Sequence, residues 1–260
     1  MRNIKIKFLL AAIVLVSTSA TFILPGTKVT TVVIDPGHGG TDPGTMGKKS
    51  KEKDVALKIS LKLGAYIEKN IPDVKVVYTR KTDVYMSLED RAALANKVKA
   101  DLFICVHANA LAGSPAYGTE TYVMGLHKDK GNLEVAQREN SVILMDENYQ
   151  EHYEGFNPNS DESYILISLE QSAYQESSLL FAQKIEHQFK KKAGRFSRGV
   201  KQAGFWVLWR TAMPSVLVET GFLTNPKDEG LLLSSSGQDS TALAIYRAFK
   251  EYKTEVETVN

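Results

Sequence analysis

The chain has 260 residues, 43% of them apolar and 24% charged, which suffices for a well-buried core and excludes a disordered polar chain. Its formal net charge is +2, and without Arg2, Lys5 and Lys7 the balance is −1, so charge gives no reason to expect nucleic acid as a partner. The one cysteine, Cys105, excludes an internal disulfide.

Arg2, Lys5 and Lys7 precede an apolar run from Phe8 to Val16, and Thr18-Ser19-Ala20 supply small residues after it. This pattern predicts an export signal over residues 1–20 and a mature protein in the periplasm or cell envelope. The run is short for a membrane span, which needs about 20 apolar residues. The membrane is therefore a partner only through this segment, and only if it stays uncleaved.

Val29 to Ile34 reads as a buried strand that breaks at Asp35-Pro36-Gly37. Val55, Ile59, Leu63, Tyr66 and Ile67 keep helical spacing, so Lys53 to Asn70 reads as an amphipathic helix. Val74 to Thr79 is the next strand. Ser87 and Asp90 form a capping signal for a helix over Leu88 to Val98. Leu102 to Val106 and Thr119 to Met124 are further strands. From Gly125 to Tyr174 the chain is polar, with Asn132 to Asn148 as one candidate helix. Leu166 to Lys192 reads as one long helix. Gly204 to Trp209 and Ser215 to Glu219 read as strands, and Thr241 to Tyr252 as the closing helix. The fold expected is α/β: a single domain over residues 29–253 with a mainly parallel central sheet flanked by helices. Residues 125–174 form a helical insertion in it, too long for an ordinary connection.

Four polar residues sit where elements begin or end: His38 after the first strand, Glu52 opening the first helix, His107 ending the third strand and Glu219 ending the last. The carboxyl ends of strands in an open α/β sheet converge on the ligand crevice. Two histidines and a carboxylate are a known zinc set that leaves a fourth position for water, and a second carboxylate is then needed to move protons. A lone histidine after a strand is also an ordinary loop or capping residue. The glycines beside His38 suggest a phosphate loop less well, because no Gly-Lys-Ser/Thr continuation follows.

Longer stretches add to this. Val33 to Gly40, Glu52-Lys53-Asp54, Thr79 to Asp83, Leu88 with Arg91 and Ala95-Asn96, Phe103 to Asn109 and Pro214 to Asn225 together resemble the zinc-dependent N-acetylmuramoyl-L-alanine amidases that act on bacterial peptidoglycan. The resemblance spans about Val29 to Tyr252 apart from the insertion. It implies a zinc hydrolase that cuts the amide between N-acetylmuramic acid and L-alanine of the stem peptide, in cell-wall remodelling or daughter-cell separation. By resemblance, His38, Glu52 and His107 bind zinc and Glu219 is the catalytic carboxylate. Cys105 stands where the family usually has serine. It shares a strand face with His107 and reads as a small core side chain, although a thiolate is also a zinc ligand.

The insertion has a parallel in the regulated cell-division amidases, whose helical segment covers the zinc and is moved by activator proteins. Glu134 to Ile143 and Ser168 to Gln171 carry that resemblance. It makes Glu139 the first candidate for an inhibitory zinc contact, with Glu147 in reserve, and an activator acting on the insertion a candidate partner. The segment's polar composition suggests a weak core of its own. A zinc hydrolase for another amide and a catalytically silent wall-binding protein are the competing readings. The intact set of His38, Glu52, His107 and Glu219 argues against the second.

Overall fold

The computed structural model describes residues 28–258 apart from 112, 114–115 and 170–172. The expected export signal lies outside the described residues. In chain order the elements are β1 (Thr31–Pro36), α1 (Glu52–Asn70), β2 (Lys75–Tyr78), α2 (Leu88–Lys97), β3 (Leu102–Asn109) and β4 (Thr119–Met124). Then come α3 (Lys130–Asn140), a 3-10 turn (Ser141–Met145), α4 (Tyr149–His152), α5 (Asp161–Leu169) and α6 (Gln175–Lys191). The chain closes with β5 (Ser197–Ala203), α7 (Trp206–Trp209), β6 (Ser215–Phe222), α8 (Pro226–Leu233) and α9 (Ser235–Thr258).

The strands form one six-stranded sheet in the order β2-β1-β3-β6-β4-β5. Every pairing is parallel except β4 against β6, so the expected mainly parallel sheet is present. Its central strands are apolar on both sides, as a sheet covered on both faces requires. Val32, Ile34, Leu102, Ile104, Val216 and Val218 face α1, α6 and α9 in one core. Val33, Phe103, Cys105 and Leu217 face the other. Among the described residues no helix is long and apolar enough to cross a membrane.

Three expectations are corrected. The strand read at Gly204 to Trp209 is instead β5 at Ser197–Ala203, followed by the helical turn α7. β5 is a half-exposed edge strand, so its polar sequence hides it. The apolar run after it is buried for another reason: Trp206 packs against Tyr153, Phe156 and Trp209. The long helix read over Leu166 to Lys192 is two. α5 joins one core through Tyr164 and Ile167, whereas α6 joins the opposite core through Phe181, Ile185 and Phe189. A straight helix cannot serve both faces of a sheet. The helix read over Asn132 to Asn148 ends at Asn140, whose side-chain amide turns inward, Nδ2 donating to the Gly204 carbonyl and Oδ1 accepting from the Trp206 amide.

The segment from α3 to α5 is also better cored than its composition suggests. Leu133, Val135, Ala136, Ile143, Tyr153, Phe156, Tyr164 and Ile167 all pack into the second core beside Phe205 and Trp206.

Candidate metal centre

β1 and β3 lie side by side, so their carboxyl ends deliver His38 and His107 to one place; the ring centroids are 4.8 Å apart. The loop after β1 doubles back, with Thr45 accepting from the Glu52 amide through its carbonyl, and so brings the first residue of α1 to the same edge. β6 pairs with β3 in a register that sets Glu219 opposite His107.

The fourth member comes from α3. His38 Nε2 lies 3.1 Å from Glu52 Oε1 and 3.2 Å from Glu139 Oε2. His107 Nδ1 lies 2.9 Å from Glu52 Oε1 and 3.0 Å from Glu139 Oε2. The four ligand atoms all fall within 4.8 Å of one another, the arrangement of a group that could hold a metal ion. The sequence-derived set of His38, Glu52, His107 and Glu139 is therefore brought together. Glu147 is exposed in the turn after the 3-10 segment and takes no part. Cys105 stays out of the group as well. Its Sγ donates to Asp35 Oδ2, and burial with the Asp35 charge pushes the thiol up to about 12.

The surroundings fix each donor. His38 Nδ1 meets Asp42 Oδ2 at 2.7 Å, which aims Nε2 at the centre. Glu52 Oε2 accepts from the Thr45 amide and Oε1 from the Ala108 amide. Glycine is demanded at two points: a Cβ on Gly37 would strike the His107 ring, and one on Gly44, at φ +64°, would come within 2.8 Å of Glu52 Oε2. Two arginines that sequence reasoning noted only as matching residues hold the loop itself. Arg80 donates to the carbonyls of Pro36, Gly37, Thr82 and Lys53. Arg91 donates to Asp35 and to the carbonyls of Pro36 and His38.

The polar inventory fits a cation. His38 Nε2, Glu139 Oε2 and both carboxyl oxygens of Glu219 are buried without a hydrogen-bond partner, although buried polar atoms normally have one. Burial opposes charge on His38, yet Glu52, Asp42 and Glu139 outweigh it and raise His38 well above the usual histidine range. Burial likewise works against the Glu52 carboxylate, but His38 draws that group down to about 2. The field at the centre thus favours positive charge. Glu219, fully buried, is held well above the usual carboxylate range by burial and by Glu139 and Glu52. Its nearest cation is Arg138, whose Nη2 lies 3.5 Å from Glu219 Oε1, 3.0 Å from Glu139 Oε1 and 2.9 Å from Asn109 Oδ1.

A buried set of two histidines and two carboxylates at the carboxyl edge of an α/β sheet, with a further buried carboxylate beside it, has the donor set and acid-base group of a metal-dependent hydrolase. Residues 32–251 match the family model for N-acetylmuramoyl-L-alanine amidase, and the chain belongs to that family. It is 32% identical over 231 residues to the N-acetylmuramoyl-L-alanine amidase AmiC of Escherichia coli O6:H1, covering 88% of this chain but 54% of the relative, so the chain spans about half of that protein's length. Among solved structures it resembles an N-acetylmuramoyl-L-alanine amidase from Clostridium difficile 630, with 30% identity, a TM-score of 0.65 and coverage of 87% and 97% of the two chains. It also resembles the CwlD amidase of Clostridioides difficile in complex with the GerS lipoprotein, with 25% identity, a TM-score of 0.64 and coverage of 87% and 99%.

Proposed function

We propose that the protein is an exported peptidoglycan amidase that hydrolyses the bond between the lactyl carbonyl of N-acetylmuramic acid and the amino group of L-alanine. The observation that carries this reading is the buried Glu219, neither oxygen hydrogen-bonded, beside the cluster of His38, Glu52, His107 and Glu139. His38, Glu52 and His107 would hold zinc. Bound zinc lowers the pKa of a coordinated water and polarises a carbonyl oxygen. Glu219 takes the proton of the attacking water on a carboxylate oxygen and passes it to the leaving amine of the stem peptide. The products are a free lactyl carboxylate and a free peptide amino terminus.

Glu139 is the inhibitory contact in this reading. Its Oε2 sits among the ligand atoms of His38 and His107, where it competes with water. The neighbouring Arg138, on the same helix as Glu139, reaches toward Glu219 on β6. A partner that favours the displaced state would have to touch the segment carrying α3 to α5. Exposed Ile165, Leu166 and Leu169 on α5 offer it an apolar surface. Residues 1–20 as export signal, residues 29–253 as catalytic domain and residues 125–174 as regulatory insertion complete the reading, with daughter-cell separation as one setting for the activity.

Metal analysis of the purified mature chain, joined to mass spectrometry of digested muropeptides, tests it. About one zinc per chain and release of intact stem peptides with free L-alanine amino termini are expected. His38→Ala and His107→Ala should lose metal and hydrolysis together. Cleavage within the peptide or glycan, or full zinc in either variant, contradicts the assignment.

A further inference from the structure

A groove of about 660 Å³ runs beside the metal centre, and its walls contain no residue of the 125–174 segment. One wall is the turn of the β1–α1 loop, Met46 to Lys49. The other is the stretch from Leu223 and Thr224 into α8, through Pro226, Glu229, Gly230 and Leu233.

Both walls grow out of the site. The Thr45 amide donates to Glu52 Oε2 at 2.8 Å, and the next residue, Met46, already lines the groove. On the far side the Leu223 amide donates to the Asn109 carbonyl, and Thr224 Oγ1 accepts from the Leu111 amide at 3.1 Å, just past His107 on β3. Leu223 itself comes directly after β6, the strand that carries Glu219. Glu229 joins the walls: its Oε1 accepts from the Lys49 amide at 2.6 Å and from Ser50 Oγ at 2.8 Å, although it belongs to α8. A groove clamped in this way is preformed, as ligand sites usually are.

The lining has a definite chemistry. Met46 and Leu233 are 54% and 38% exposed, and exposed Pro226 extends the apolar surface over the buried Leu223. Lys48 and Lys49 stand exposed on one wall, whereas the carboxylate of Glu229 is engaged by the loop it clamps. The groove therefore suits an extended ligand with small apolar groups and free carboxylates. The peptide half of the substrate has that character. It begins with alanine, and its second residue, a D-glutamate joined through the γ-carboxyl, leaves an α-carboxylate free.

We infer that this groove is the subsite for the stem peptide, and that Lys48 and Lys49 read its carboxylates. The inference rests on the amidase reading for the identity of the peptide. It makes the two lysines specificity residues: they anchor the leaving half so that the scissile amide lies against the centre, and they take no part in bond breaking.

The test is calorimetric titration of the mature chain with the free tripeptide L-Ala-γ-D-Glu-diaminopimelate, and with the same peptide amidated at the D-glutamyl α-carboxylate. Wild type should bind the acidic peptide about tenfold more tightly than the amidated one, the scale set by one or two exposed charge pairs. The double variant Lys48→Ala/Lys49→Ala, with an unchanged melting temperature, should lose that preference. In muropeptide hydrolysis it should raise KM about tenfold with kcat within about twofold. Equal affinity of wild type and variant for the acidic peptide, or an equal loss for both peptides, overturns the subsite. Charge-selective peptide binding by a wild type that cleaves no muropeptide would keep the groove and sink the amidase reading, so the two failures are distinguishable.

Discussion

Arg91 Nη2 donates to the main-chain carbonyl of His38 at 2.8 Å, while Nη1 of the same guanidinium holds Asp35 Oδ1 at 2.8 Å. His38 needs that support. Its backbone sits at φ +60°, the left-handed region that a non-glycine residue enters only at a cost. The ring is aimed because a buried arginine pins the backbone behind it.

Arg91→Ala leaves Asp35 charged and buried with only Thr79 and Cys105 as side-chain partners. Breaking a buried pair in this way costs about 3–5 kcal/mol. Urea unfolding should show a loss of that size and reduced metal content at equal protein concentration. A loss below about 1 kcal/mol would mean that those two neighbours suffice.

Glu219→Gln should keep the metal, because Glu219 is not among the four clustered donors. Turnover should fall by about 10²–10⁴, the usual consequence of losing a general base. Near-normal turnover with full metal would assign the proton transfer to another group.

Glu139→Ala should leave His38, Glu52 and His107 to hold the metal and should raise basal hydrolysis. A rise of roughly ten- to a hundredfold corresponds to losing one contact to a charged group, about 1.5–3 kcal/mol. Metal retention with unchanged or lower activity would make α3 a wall of the substrate groove. Deleting residues 126–164 is a poorer probe. It would strip Leu133, Ala136, Ile143, Phe156 and Tyr164 from the second core, and a collapse of the fold would mimic a loss of function.

Cys105 should resist thiol reagents at pH 8 in the folded protein and react only on unfolding, since it is buried and its thiol is pushed up to about 12. Cys105→Ser keeps a donor toward Asp35 Oδ2 and should change stability by less than about 1.5 kcal/mol. Rapid labelling of the native protein would contradict the burial.

The central strands and the positions of His38, Glu52, His107 and Glu219 at one sheet edge were legible because each is written locally. β1, β3 and β6 are apolar runs, and the polar residues proposed for the site stand just after β1 (His38) or toward the carboxyl ends of β3 (His107) and β6 (Glu219). β5 was illegible because an edge strand with half-exposed side chains carries no alternation to read. The apolar stretch Trp206–Trp209 was misread because burial from every side looks the same for a strand and a helical turn. Arg80 and Arg91 could be matched to the family but not given a role, since their partners are mainly carbonyl oxygens, which no side-chain pattern announces. The groove walled by Met46 and Leu233 joins segments far apart in the chain.

Asn140 immediately follows Glu139, and its amide group is bonded to the Gly204 carbonyl and the Trp206 amide. A helix anchored there has almost no lever arm at residue 139. Swinging the Lys130 end of α3 about that pivot would pull Leu133 and Ala136 from the second core and still leave Glu139 nearly where it began. Withdrawing Glu139 by moving the helix therefore means pulling the pivot itself, which surrenders both bonds and loosens the packing around Trp206. Under the proposed inhibitory role of Glu139, access to the centre is coupled to the integrity of the core beneath it.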